Sequence, residues 1–388
     1  MIKLGKRKNL FYPIMSIIFT FSRKVENILM DKLIGFDGSL LLTLIMFLAE
    51  IVSGLIFFIY EKCCIFKRSA GKAKFMGIKL IQAPDEIKPH DSKFKIYLYI
   101  LIIAFIDFFE FSVDTLYFPK YNDISSSLYV RLRCTLTLFS GLVSSFLLKF
   151  SLYAHQKLSL IVIFILLITT IFIDYIFEGK TKHYFFVLFL IFINYFFDSF
   201  FDIIEKYLLE YDFINPFKLV FVEGVFGFFL TCLYTFVEDP FKETKEIYEE
   251  KNNNKFILLI SFLVLYFFLC AGRNIYRVIT NKLYFPITRS LTDSIFDPLL
   301  ILYYFIFEND FYVKDKDKQS ILYFIINLII SIIYVFFGCV YNEVFILFCC
   351  GLAHNTHDQI SERASIVEKY ELNDTAAQVN DEYFVTFK

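Results

Sequence analysis

Long apolar runs alternate with short polar ones along most of this chain. A helix needs about 20 mostly apolar residues to cross a bilayer. Ten stretches fit that requirement, at about 10–31, 39–61, 95–117, 125–148, 158–178, 183–204, 217–237, 256–280, 286–307 and 320–346. The first is interrupted by Arg23, Lys24 and Glu26; without it nine spans would remain and the two ends would face opposite sides. The stretch 124–150 organises the rest. It is almost wholly apolar or small, yet carries Arg131 and Arg133 in its first third. A charge at the centre of a membrane helix costs about 2.5–3.5 kcal/mol on the insertion scale. It must therefore face protein, water or a ligand, and this helix reads as one wall of a solute pathway.

The polar runs bear on orientation. With ten spans both ends share one side, together with the basic N-terminus and the 62–94 loop, which holds Lys62, Lys67, Arg68, Lys72, Lys74 and Lys79. Loops on the other side, 238–255 and 308–319, mix acid with base. The Lys/Arg excess puts both ends in the cytosol. From about residue 351 the chain becomes polar and reads as a short helix followed by disorder. The start lacks a short apolar core with a cleavage site, so the first stretch reads as a retained helix.

Composition agrees with a membrane protein. Hydrophobic residues make up 57% of the chain, above the soluble norm of about 45–50%. The net charge of −1 offers no polybasic surface for nucleic acid. The eight cysteines have no metal-ligand spacing, and Cys134, Cys232, Cys270 and Cys339 read as small core residues. The Cys63–Cys64 and Cys349–Cys350 pairs sit at helix ends, where palmitoylation is chemically open. His354 and His357 lack further ligands, so no metal and no cofactor is expected. No nucleophile elbow, phosphate loop, catalytic carboxylate pair or zinc motif appears, which argues against an enzyme.

The two halves echo each other. Span one carries Arg23-Lys24 and is followed by Glu50; span six ends in Glu205-Lys206 and is followed by Glu223. Span four carries Arg133 and span nine Arg289. Five helices per repeat is odd, so the repeats must be inverted, with a site near the midplane where they meet. The organisation expected is a first repeat over 1–182, a second over 183–350 and a polar cytosolic tail over 351–388.

Basic residues inside the spans are Lys24, Arg131 and Arg133 in one half and Lys206, Arg273, Arg277 and Arg289 in the other. Guanidinium forks suit phosphate and carboxylate. Converging on a cavity, these cations would attract an anionic solute. Alternatively they pair with Asp107, Glu110, Asp114, Asp198, Asp202, Glu223, Asp293 and Asp297 and serve folding alone. For Arg133 and Arg289 the binding reading is preferred. Arg131 points to a different face from Arg133 and could snorkel to the surface. Tyr129 lies one turn before Arg133, and Asn274 shares a face with Arg277. Glu50 and Glu223 are read as partners of Lys24 and Lys206, with proton carriage as the alternative. Ser140, Gly141, Ser144, Ser145, Gly224 and Gly227 are read as close-packing positions.

Several segments resemble one family. They are Thr20-Phe-Ser-Arg-Lys24-Val-Glu-Asn27, Thr43-Leu-Ile-Met-Phe47-Leu-Ala-Glu50, Asp107 and Ser126-Ser-Leu-Tyr129-Val-Arg-Leu-Arg133 in the first half. In the second half they are Glu205-Lys206, Pro216, Val222-Glu-Gly-Val-Phe-Gly227, Arg289 with Ser290 to Asp293, and Tyr341-Asn-Glu343 with Cys350-Gly-Leu-Ala-His-Asn-Thr356. In order and spacing these are similar to the drug/metabolite transporter superfamily, in its EamA-like, nucleotide-sugar-transporter-like branch of solute carriers, F-type members. Arg131, Cys134 and Ala49 depart from the pattern and bear on substrate more than on fold. The resemblance implies ten helices in two inverted five-helix repeats, alternating access, and a eukaryotic endomembrane (Golgi, endoplasmic reticulum or lysosome-like), with the plasma membrane as the alternative.

The expectation is thus an all-α polytopic membrane protein that carries a small anionic metabolite, such as a nucleotide sugar. The expected contacts to the solute are Arg133, Arg289, Tyr129, Asn274, Arg277, Lys24 and Lys206. Expected partners are the solute and the lipid bilayer, with a homodimer as an option and no nucleic acid. The rival is a non-transporting structural or regulatory membrane protein of the same fold, its basic residues all paired internally.

Overall fold

The computed structural model describes residues 2–4, 11–36, 39–60, 74–75, 78–79, 91–112, 127–148, 152–177, 184–236, 239–249, 253–284, 286–308 and 317–347. The tail over 351–388 with its histidines, both cysteine pairs, Asp114 and most of the 62–94 loop lie outside them.

The chain begins with β1 (Ile2–Leu4), α1 (Phe11–Ile34) and α2 (Ser39–Tyr60), followed by β2 (Lys74–Phe75), β3 (Ile78–Lys79) and α3 (Lys93–Ser112). Next come α4 (Ser127–Arg131), α5 (Cys134–Leu147), α6 (Ala154–Phe177), α7 (Tyr184–Glu210) and α8 (Pro216–Tyr234). The remainder is α9 (Lys242–Glu249), α10 (Asn253–Leu283), α11 (Pro286–Ser294), α12 (Asp297–Tyr303), a π-helical turn (Tyr304–Glu308), α13 (Asp317–Tyr341) and β4 (Phe345–Leu347).

Local chemistry sets several boundaries. Gly35, with φ +70°, closes α1 through its N–H to the Asp31 carbonyl at 2.8 Å. Asn215 caps α8, its Oδ1 accepting from the N–H groups of Phe217 and Lys218, and Pro216 supplies the first turn.

Seven helical segments are long and apolar enough to cross a membrane: α2, α6, α7, α8, α10, the α11–α12 stretch and α13. With α1, α3 and α4–α5, every one of the ten apolar stretches is largely helical. This is an all-α, integral, multi-pass membrane protein. Its helices are polar inside and apolar outside. In α6, Ser159, Thr170 and Asp174 are buried, while Ile161, Phe164, Ile165, Ile168 and Phe172 are exposed. That arrangement suits a hydrocarbon solvent, which solvates isoleucine and phenylalanine but not carboxylate.

The core has two main centres. One gathers Leu132 from between α4 and α5 with Leu136, Ile163, Val187, Ile191, Ile287 and Tyr334 from α5, α6, α7, α11 and α13. The other gathers Tyr12, Ile103, Phe201, Leu208, Phe217 and Val278 from α1, α3, α7, α8 and α10. Both draw on each side of residue 182, so the two sequence halves interleave.

The helix pairs in contact include α2 with α8, α1 with α10, α2 with α10, α3 with α7 and α8, α5 with α7, α6 and α11, α1 with α11, α13 with α6, α11 and α12, α10 with α7, α8 and α11, α7 with α11, and α4 with α12. The α2–α8 crossing is close because of glycine. A Cβ at Gly54 would sit 2.6 Å from the Phe221 backbone nitrogen, and one at Gly227 would enter the Phe47 ring. Outside the helices, β1 pairs antiparallel with β4.

Candidate functional site

Two of the expected spans are interrupted, and the interruptions meet. Between α4 and α5 the backbone tightens, with Arg133 N–H donating to the Val130 carbonyl three residues back. Between α11 and α12 the helix stops at Ser294 and restarts at Asp297, with Phe296 at φ −96°, ψ 2°. The cause is Pro298. It has no N–H to give the Ser294 carbonyl, and it suits the first turn of a new helix.

Arg133 spans both interruptions. Its Nη1 donates to the Asp293 carbonyl at 3.0 Å and to Asp297 Oδ1 at 2.8 Å. Lys24 Nζ joins from α1, 2.9 Å from the same carbonyl and 3.8 Å from Asp297 Oδ1. Thr20 donates to Asp293 Oδ1 at 3.3 Å, and Arg273 of α10 lies 3.9 Å from Asp293 Oδ2. Tyr129 supports Arg133 from beneath, its ring 5.8 Å from the guanidinium carbon. The ring is itself fixed, since Asn194 Nδ2 donates to its hydroxyl at 3.0 Å. Three cations face two carboxylates here, leaving one positive charge over.

The cations of this network are more accessible than the other buried arginines. Side chains of Lys24, Arg133 and Arg273 stay 19, 11 and 13% exposed, against 1, 3 and 5% for Arg131, Arg277 and Arg289, while among the acids Asp293 and Asp198 are 16 and 17% exposed and Asp297 1%.

The other expected contact residues stand apart from Arg133. Arg289 pairs with Asp202 and reaches Asp198 at 3.5 Å, both on α7. It lies within α11, not at the interruption, so it is not placed as Arg133 is. Arg277 meets Glu223 at 3.1 Å, and Asn274 Nδ2 donates to Glu50 Oε1 at 2.7 Å. Both turn toward the α2–α8 crossing, as their shared face required. The Arg277 and Arg289 guanidiniums lie over the Phe201 ring, at 4.7 and 5.0 Å. Lys206 donates to the carbonyls of Asn281, Lys282 and Tyr284 at 2.8–3.0 Å. It caps the C-terminal end of α10, where a cation complements the helix dipole.

Three sequence readings need correction. Arg131 does not snorkel: it is buried 3.3 Å from Asp174, whose other contact is the Tyr323 hydroxyl at 2.7 Å. Glu50 faces Asn274 instead of Lys24, and Glu223 faces Arg277 instead of Lys206. In each case the helix packing brings a different partner nearer than matching the halves suggested. The small residues do pack closely. A Cβ on Gly141 would touch Leu160 at 2.8 Å, and Ser140 hydrogen-bonds Ser290 across the α5–α11 contact at 3.0 Å.

Asp293 and Asp297 were legible only as generic acids. The Asp297-Pro298 step was the available signal that the helix is cut and a carboxylate left at the cut.

No protein-family model matches the chain, and no curated protein matches it in sequence.

Proposed function

We propose that this protein is a solute transporter working by alternating access, and that Arg133, Lys24 and Arg273 receive the anionic group of a small metabolite. The observation that carries this reading is the meeting of two interrupted helices at a partly accessible network with surplus positive charge. Interrupted helices in corresponding places are how many transporters build a midplane site, because freed backbone groups and helix ends supply the polar contacts. In this reading Asp293 and Asp297 hold the cations in the empty state, and an incoming phosphate or carboxylate takes their place.

The packing pattern supports ten crossings in two inverted repeats. Exchanging α1 with α7, α2 with α8, α3 with α10, α4–α5 with α11–α12, and α6 with α13 preserves most of the larger contacts, although those of α10 with α7, α8 and α11 and of α7 with α11 have no counterpart of like extent among the described residues. The α1–α10 contact becomes α7–α3, α2–α10 becomes α8–α3, α5–α7 becomes α11–α1, and α5–α6 becomes α11–α13. The pairs α2–α8, α5–α11 and α6–α13 map onto themselves. The β1–β4 pairing brings the two described ends together, as an even number of crossings requires. Both ends in the cytosol, a eukaryotic endomembrane location and membership of the drug/metabolite transporter superfamily belong to the same proposal, on the sequence grounds already given. No covalent chemistry is required of the protein.

A specific observation favours the second reading, a non-transporting membrane protein. Arg131, Arg133, Arg273, Arg277 and Arg289 each lie within 3.9 Å of a carboxylate. Two grooves, of about 710 Å³ between α2 and α8 and about 350 Å³ near Asp212, leave the Arg133 network untouched.

The test is a thermal-shift screen of purified protein against nucleotide sugars, nucleotides, phosphorylated sugars and organic anions. A ligand that binds the folded state stabilises it by mass action, by about 2.7 kcal/mol at a hundredfold excess over its Kd. The transporter reading expects at least one class to raise Tm in the wild type and not in a folded Arg133→Ala variant. No shift from any anion favours the second reading.

A further inference from the structure

The α2–α8 crossing holds a second group of charges, opposite in sign to the first. One carboxylate oxygen each from Glu50 of α2, Asp107 of α3 and Glu223 of α8 lies within 4.8 Å of the other two. Glu50 and Glu223 are fully buried and Asp107 is half-buried. Three clustered carboxylates in an apolar interior are costly unless something compensates them.

The compensation on hand is incomplete. Arg277 Nη2 donates to Glu223 Oε1 at 3.1 Å, and Asn274 Nδ2 donates to Glu50 Oε1 at 2.7 Å. Each contact occupies one oxygen and leaves the other. Glu50 Oε2, Glu223 Oε2 and Asp107 Oδ2 are buried without a hydrogen-bond partner. Independently, the amide oxygen of Asn274, a residue with no exposed surface, is also buried and unpartnered beside Glu50. A neutral amide oxygen left open next to open carboxylate oxygens calls for something positive between them. Glu205 on α7 is nearby; its Oε2 accepts from Asn281 Nδ2 at 2.7 Å and its Oε1 is likewise buried without a hydrogen-bond partner, but it is not among the three clustered carboxylates.

We infer that Glu50, Asp107 and Glu223, with the Asn274 amide oxygen, form a binding site for a divalent hard cation. The donor set follows the chemistry of such ions. All the ligand atoms are oxygens, with no sulfur or imidazole, which suits calcium and magnesium over zinc or copper. The three carboxylates outnumber the nearby guanidiniums of Arg277 and Arg273, so a cation between them would offset the negative charge that remains. Calcium–oxygen distances of about 2.3–2.6 Å put opposite ligands about 4.6–5.2 Å apart, a span that oxygens lying within 4.8 Å of one another can meet. The ligands come from α2, α3, α8 and α10, so a bound ion would tie together helices from both sequence halves. Arg277 keeps Glu223 turned inward and acts as a positioning residue.

The site is tested by thermal unfolding of the purified full chain in detergent. The protein is first stripped with chelator and then titrated with Ca²⁺ at constant ionic strength, with Na⁺ as the control. A saturable rise in Tm with Ca²⁺ and none with Na⁺ is expected. Glu50→Gln should abolish the rise, and its ion-free Tm should equal or exceed that of the ion-free wild type, because one of three repelling charges has gone. If Glu50→Gln does not fold, Asp107→Asn, at the half-buried position, carries the same test. Absence of a Ca²⁺-specific rise in the wild type overturns the site, as does an undiminished rise in the variant.

Discussion

Arg131 and Arg133 lie two residues apart and have opposite surroundings. Arg131 is enclosed with Asp174 and Tyr323, its side chain only 1% exposed. Removing one partner of a buried pair strands the other charge, at a cost of about 3–5 kcal/mol. Arg131→Ala should therefore lower Tm sharply, as read by thermal unfolding in detergent. Arg131→Met together with Asp174→Leu should recover most of the loss, since both charges then leave. Arg133→Ala should cost less stability than Arg131→Ala in the same assay. Lys24 remains 3.8 Å from Asp297 to offset its charge, and the site is already partly accessible. Equal destabilisation by the two alanine variants would mean that Arg133 is as structural as Arg131. The sequence distinguished the two by helical face alone. It could not say which acid each would find, because Asp174 and Asp297 lie 43 and 164 residues away.

At the scale of the element, hydropathy located the helices and missed their interruptions. All ten apolar stretches are largely helical, but a window average does not register a tightened turn at Arg133 or a stop before Asp297. The amphipathic α9 was likewise hidden in what read as a mixed-charge loop. Pro298 was the readable clue at the second break. Pro298→Ala restores an N–H to the Ser294 carbonyl and should make α11 and α12 more continuous. Tm should hold or rise while ligand response falls; a variant with unchanged response would remove the interruption from the account. The α2–α8 crossing gives the opposite prediction. At Gly54 a methyl group meets the Phe221 backbone, which cannot rotate away. Overpacking of this kind costs about 1–3 kcal/mol. Gly54→Ala should lower stability by that amount, read as a fall in Tm, and an unchanged Tm would show the crossing to be looser than described.

For the molecule as a whole, the informative feature is the agreement between packing and charge. Most of the larger helix contacts recur when the halves are exchanged, while those of α10 with α7, α8 and α11 and of α7 with α11 do not, and the interruptions fall in spans that the exchange relates. The echo between Arg23-Lys24 and Glu205-Lys206 hinted at this in sequence. Even so, the equivalence drawn there between Arg133 and Arg289 does not hold in position: one marks an interruption and the other pairs with α7 inside a helix. Symmetry of packing therefore does not extend to each side chain. The fold needs repeated shape, whereas a site for one asymmetric solute needs charge concentrated at one place.

The most direct measurement is uptake into proteoliposomes of the anion that best stabilises the wild-type protein, compared between wild type and Arg133→Ala at equal folded protein. The account predicts saturable uptake by the wild type and none above empty vesicles for the variant. Equal uptake by the two, or none by the wild type, would contradict it.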